Sequence, residues 1–152
     1  MTACTEFVAS VMPFTVRRTV RWAECDPAGV VYAGRYVDYL LDTCALFFQH
    51  IGFGHGQRWA EGKSVGLPAK HIGLTFMASL FPDEVFDMTL AVTAIRTRTF
   101  DLSLVARRPD GEIVFEGQCS PICIAPNVRE SVPMPDQLRQ QLSPYLMQKD
   151  PS

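Results

Sequence analysis

The sequence predicts an α+β fold, whose patterns an antiparallel sheet of five or six strands curled around one long helix would satisfy. Three observations carry this. Several segments alternate apolar and polar residues with period two, the pattern of half-buried strands. Residues 35 to 51 are apolar almost all the way round at helical spacing, so that helix is buried on several sides. Short clusters with Pro, Asp and Gly join the alternating segments, as antiparallel neighbours require.

In chain order, residues 1–12 read as an unstructured lead-in. They carry no Lys or Arg ahead of an apolar core, a poor secretory signal, and Met12 is a candidate start. One domain is expected over 13–130. From Phe14 to Ala23, Phe14, Val16, Val20 and Trp22 share one strand face, with Arg18 the misfit among them. In the helix that follows, Arg35, Asp38, Asp42 and Gln49 form one narrow polar stripe, and Gly52 and Gly54 close it. A polar loop is expected around residues 55 to 64.

Alternation then returns. Ile72, Leu74, Phe76, Ala78 and Leu80 share a face, followed by a Phe-Pro-Asp turn. Phe86, Met88, Leu90, Val92 and Ala94 share the next face, and Phe100, Leu102, Leu104 and Ala106 the third. Arg108-Pro109-Asp110-Gly111 makes a hairpin turn, and Ile113, Phe115 and Gly117 lead into a last strand that Pro121 places at an edge or a bulge. The tail, 131–152, suggests a short surface helix around Asp136, Leu138 and Leu142.

With 152 residues, 47% hydrophobic and 20% charged, the chain is one domain long. A net charge of −2 lacks the basic footprint of a nucleic-acid binder, and no apolar run reaches the length of a membrane span. Neither nucleic acid nor membrane is expected as a partner. Five cysteines with no C-x-x-C pair support neither a disulfide framework nor zinc, and none of the three histidines stands at ligand spacing. No metal is expected. The cysteines read as reduced thiols in a cytoplasmic protein.

The densest signal is the stretch from Asp26 to Tyr36. Pro27 keeps Asp26 extended, and Gly29 can take a positive φ in the turn that follows. By spacing alone Asp26 reads as a turn or capping residue. It also stands close to a helix N-terminus, whose first N–H groups have no intrahelical partner. A carboxylate facing such donors suits acyl transfer.

Asp26, Gly29, Val31 and Tyr36 stand in a D-x-x-G-x-V-x-x-x-x-Y arrangement that resembles the hotdog-fold acyl-CoA thioesterases. The D-P-A-G-x-V form is most similar to the 4-hydroxybenzoyl-CoA thioesterase branch. The resemblance runs from about Phe14 to about Ala125 and includes a second match, Val65-Gly66-Leu67-Pro68. It implies a hotdog fold and hydrolysis of an acyl- or aroyl-CoA thioester to the acid and free CoA. Asp26 would be nucleophile or general base. The backbone N–H of Ala33 would hold the thioester oxygen, with that of Gly34 beside it. Gly66, Leu67 and Pro68 would lend backbone to the site. Tyr32 and Tyr36 are candidates to line the acyl pocket, or else pack against the sheet.

A basic strand end, Arg96-Thr97-Arg98-Thr99, is in the place where the resembled enzymes contact CoA phosphates; Arg96, Arg98 and Thr99 are the candidates, ahead of Arg107 and Arg108. No separate cofactor is implied, since CoA enters as part of the substrate. A homodimer or homotetramer is implied, because two edge strands need cover. Ala33 departs from branches with His or Tyr there, and Arg35 from the Asn that many relatives carry. A non-catalytic module that holds an acyl thioester or a partner protein is the alternative; the intact Asp26 corner favours the enzyme. A dehydratase would show a His beside the Asp near the helix start, and none is present.

Overall fold

The computed structural model describes residues 4–60 and 65–148. Its strands are β1 (Glu6–Val11), β2 (Phe14–Thr19), β3 (Ala69–Phe76), β4 (Val85–Ile95), β5 (Phe100–Arg107) and β6 (Ile113–Pro121). Its α-helices are α1 (Arg35–His50), α2 (His55–Ala60) and α3 (Asp136–Leu142). The strands form one antiparallel sheet in the order β1-β2-β4-β5-β6-β3, and α1 lies against its apolar face. This is the hotdog arrangement.

The register shows why one face is dry. Phe14 stands opposite Leu90, Leu90 opposite Leu104, and Leu104 opposite Gly117. The row ends at Leu74 on the edge strand. Against it α1 buries Tyr36, Tyr39, Leu40, Cys44 and Phe47, while Arg35, Asp38, Asp42 and Gln49 face water as the stripe predicts. Gly117 sets how close the helix can come. A Cβ there would fall 3.2 Å from Leu40 Cδ1 and 3.3 Å from Leu74 Cδ2. Gly117→Val is therefore expected to cost about 1–3 kcal/mol by overpacking, read as a lower urea midpoint. An unchanged midpoint would show that Leu40 has room to move.

Several expectations are corrected. Residues 6–11, read as lead-in, form β1 and pair with β2 from Glu6–Arg18 to Val11–Phe14. Val8, Ala9 and Ser10 give little apolar contrast, so only the free edge of β2 selects this strand. β2 stops at Thr19, and a 3-10 turn over Trp22–Glu24 follows. Trp22 is consequently 70% exposed instead of in the core. The polar stretch after α1 begins with α2; residues 61–64 lie outside the described residues, as do 1–3 and 149–152. β3 ends at Phe76, so Ala78 and Leu80 belong to the crossover into β4 and not to the strand. Ile72 and Phe76 stay exposed because β3 is an edge. β6 is interior, and Pro121 sits at its end opposite Ala69, beside a register shift. Leu138 and Leu142 of α3 are fully buried, so this helix is part of the core.

The Phe-Pro-Asp and Arg108–Gly111 turns occur as read, with Asp83 at φ 68° and Gly111 at φ 93°. No cysteine is in a disulfide, and Cys44, Cys119 and Cys123 are buried. No helix among the described residues is long and apolar enough to cross a membrane.

Candidate active site

The Asp26 corner is a small antiparallel ribbon. Cys25 pairs with Val31, the Asp26 N–H donates to the Val30 carbonyl at 3.0 Å, and the Tyr32 N–H donates to the Glu24 carbonyl at 2.9 Å. Gly29 turns it at φ 82°, and the Gly29 N–H donates to the Asp26 carbonyl at 2.9 Å. The Val31 N–H donates to the Leu80 carbonyl at 2.9 Å, which ties the ribbon to the β3–β4 crossover. Asp26 is half-buried. Its Oδ1 accepts the Ala28 N–H at 2.8 Å, so the turn-capping role is realised, and Oδ2 has no partner among the described residues. The ribbon runs directly into α1. Among the described residues no acceptor takes the N–H of Ala33 or of Gly34. The acid thus stands on one limb of the ribbon, and the donors follow the other limb in the turn that opens α1.

The ribbon rests on a buried charge. Glu24 is 4% exposed and Arg18, the misfit of the β2 pattern, 5%. The Arg18 guanidinium binds the Glu24 carboxylate from one side and Glu6 from the other. Glu24 Oε1 also accepts the Arg21 N–H at 2.7 Å. Burial would push the Glu24 carboxyl up, but the Arg21 N–H and Arg18 outweigh it and hold it below the usual range. A carboxyl lowered in the folded state adds stability above its unfolded pKa of about 4.3, and this is lost as pH falls through the folded value. The melting temperature should therefore fall with pH below about 4, with a shallower slope in Glu24→Gln. An identical slope would show that another carboxylate governs acid unfolding.

An open cavity of about 320 Å³ lies beside the helix start, lined by Val31, Ala33, Tyr36 and the segment Phe76–Ser79. Tyr36 closes one side: its ring packs edge-on against Phe76 and Phe115, each at 5.0 Å between centroids, and burial pushes its phenol up. Tyr32 is exposed and lies over Gly34, with its Cε1 2.6 Å from where a Cβ would be. Asp26 is not on the cavity wall. The wall residues from β3 and the crossover carry no sequence signal, because the apolar alternation runs past the true end of the strand.

Gly66, Leu67, Pro68, Arg96, Arg98 and Thr99 lie at the opposite end of the sheet, whereas Arg107, opposite Asp87, and Arg108, paired with Glu84, lie at the Asp26 end. Gly66 is bonded to Ile124 through both its N–H, at 2.9 Å, and its carbonyl, at 3.0 Å, so neither group is open to a ligand. The Pro68 carbonyl accepts the Ile122 N–H at 3.0 Å, while Leu67 is half-buried. Arg96 pairs with Asp101 at 2.8 Å and holds that carboxyl below its usual range; Asp101 also accepts the Ser120 hydroxyl at 2.8 Å. Arg98 donates to the Ser131 carbonyl, and Thr99 bridges to Ile122. Arg96 and Thr99 share a cavity of about 470 Å³ with Lys70, His71, Asp101 and Ser120. Lys70 is the cation that the sequence reading missed; as an isolated strand lysine it carries no motif. Arg107 donates to the Gly111 carbonyl, and Arg108 is paired with Glu84 and Glu112, each at 2.9 Å. Asp26 enters beside the Val85 end of β4 and Arg96 follows the Ile95 end, an 11-residue strand of roughly 35 Å.

The fold defines a hotdog protein. The family model described as the thioesterase-like superfamily matches residues 20–142, and the chain belongs to that family. By class it is a thioester hydrolase. A 1,4-dihydroxy-2-naphthoyl-CoA hydrolase of Microcystis aeruginosa is 27% identical over 131 residues, covering 84% of this chain and 90% of that protein. Among solved structures, the chain is similar to Slr0204, a 1,4-dihydroxy-2-naphthoyl-CoA thioesterase from Synechocystis. That likeness has TM-score 0.77 and 21% identity, covering 86% of this chain and 95% of that one. It is also similar to the hypothetical protein SAV2348 from Staphylococcus aureus in complex with CoA, at TM-score 0.81 and 20% identity, covering 95% and 87%. At these identities the structural likeness is one of fold.

Proposed function

We propose that this protein hydrolyses an acyl- or aroyl-CoA thioester to the carboxylic acid and free CoA, with Asp26 as nucleophile or general base. The observation that carries the proposal is the ribbon that joins Asp26, whose Oδ2 has no partner among the described residues, to the unpartnered N–H groups of Ala33 and Gly34 in the turn that opens α1. As base, Asp26 takes a proton from water while the water oxygen forms the new C–O bond to the thioester carbon. The carbonyl oxygen gains charge at the helix N-terminus, the C–S bond breaks, and the thiolate recovers the proton. Donors aimed at a developing oxyanion are worth about 3–4 kcal/mol each in comparable sites. An aroyl group is supported by the aromatic side of the 320 Å³ cavity and by the relatives that act on 1,4-dihydroxy-2-naphthoyl-CoA. No cofactor is required, and five unpaired thiols suit a cytoplasmic setting.

The active form is a dimer, alone or within a tetramer, joined along the free edge of β3. A two-fold axis there pairs β3 antiparallel with its copy. Lys70 and His71 of one protomer then lie near Thr75 and Phe76 of the other, beside that protomer's helix start. Two sets of candidates that one chain keeps at opposite ends of the sheet become one site. Arg96, with Lys70, then receives CoA phosphates at the rim, and Arg98 and Thr99 shape that rim.

Thiol release from a panel of CoA esters tests the activity. Binding of an ester without release would support a non-catalytic module instead. The double variant Arg96→Ala/Arg98→Ala should raise KM for the CoA esters and leave kcat nearly unchanged, because phosphate contacts bind ground and transition states alike. KM should also rise with ionic strength, as screening predicts. A pantetheine thioester, which has no nucleotide, should be hardly affected. Equal losses on both substrates would assign the two arginines to the fold.

A further inference from the structure

We infer that Glu24 is the positioning residue of this site: its buried carboxylate anchors, and its carbonyl clamps, the ribbon that links Asp26 to the segment carrying the helix donors. The inference rests on the catalytic reading of Asp26 and adds to it a residue that does not touch substrate.

Glu24 meets both limbs of the ribbon. Along the chain it precedes Asp26 by two residues. Across the ribbon its carbonyl takes the Tyr32 N–H at 2.9 Å, and Tyr32 directly precedes Ala33. Any displacement of Glu24 therefore moves the acid and the donor together or pulls them apart. The side chain fixes this clamp to the body of the protein. Arg18, which holds it, comes from β2, reaches Glu6 on β1, and lays its guanidinium carbon 4.6 Å over the Tyr39 ring of α1. Sheet, 3-10 turn and central helix thus converge on one carboxylate.

Stability alone is a poor reason for such a pair. Desolvating two charges costs about what their attraction returns, and apolar replacement of buried pairs is often neutral or stabilising. Here Arg18 Nε is buried with no hydrogen-bond partner, so the network is incompletely satisfied. What a fixed ion pair does supply is geometry. Misplacing reacting groups by 1 Å can cost about a hundredfold in rate.

The test compares the parent, Glu24→Gln, Arg18→Met and the double variant Arg18→Met/Glu24→Leu, which removes both charges of the pair and keeps the volume apolar. The double variant should recover most of the melting temperature lost by Arg18→Met alone. Its kcat on the best CoA ester should nevertheless stay roughly tenfold or more below the parent, with KM nearly unchanged. Parental kcat in the folded double variant would overturn the inference, and so would a rise in KM with kcat intact. Where the double variant does not fold, Glu24→Gln gives the same comparison, since its amide still accepts the Arg21 N–H.

A second readout is independent of turnover. Trp59→Phe leaves Trp22, in the same 3-10 turn as Glu24, as the sole tryptophan. Its emission and acrylamide quenching should change in the Glu24 variants and not in Asp26→Asn. An unchanged Trp22 signal overturns the positioning role whatever the activity. Full turnover by Asp26→Asn would instead remove the catalytic reading, so the two failures are told apart.

Discussion

Asp26→Asn is expected to lower kcat by roughly 10²–10⁴-fold, the contribution typical of a general acid–base group, while substrate affinity survives. The substitution is chosen for what it keeps. An asparagine Oδ1 can still accept the Ala28 N–H that Asp26 now holds at 2.8 Å, so the turn persists, with Gly29 at its φ of 82°. Only the charge and the basic oxygen are lost. Steady-state thiol release with a purified, folded variant provides the measurement, and titration with free CoA shows whether the binding surface is intact. Near-parental hydrolysis would end the mechanism, and no other acid nearby is placed as Asp26 is: Asp83 accepts the Trp22 indole N–H at 3.3 Å. Glu24 is buried in an ion pair, and Asp38 and Asp42 lie on the outer stripe of α1.

Ile72→Glu should convert the protein to monomers and abolish most turnover with them. Ile72 is near the middle of β3 and 39% exposed in the single chain, with its neighbour β6 on one side and a free edge on the other. Antiparallel pairing across a two-fold axis brings mid-strand residues close to their own copies, so the variant sets two carboxylates against each other. Like charges juxtaposed at an interface cost several kcal/mol. Light scattering at micromolar concentration should give the mass of one chain, and circular dichroism should remain that of a folded protein. A dimeric, active variant would show that β3 is not the joining edge and that each chain carries a whole site.

Much of this protein is legible in its residues. The buried helix and its polar stripe follow from spacing at 100° per residue, and α1 begins and ends within a residue of where that spacing puts it. Strands β4 and β5 follow from strict alternation between short turns, since a period of two can bury only one face. Asp26, Pro27 and Gly29 specify the corner through local chemistry, because a proline and a positive φ act on their own neighbours.

Tertiary structure alone decided the rest. β1 exists because the edge of β2 offers hydrogen bonds, not because Glu6–Val11 has a strong pattern of its own. Arg18 broke the pattern of β2, and nothing local could say that Glu24 and Glu6 would enclose its charge. The end of β3 was hidden by apolar residues that continue into the crossover and line the cavity. Arg96 and Asp26 are each visible in the sequence, but their placement at opposite ends of a long strand is not. Short-range preferences are written residue by residue. Burial of charge, edge pairing and the meeting of distant segments depend on which surfaces are left once the sheet has closed on its helix.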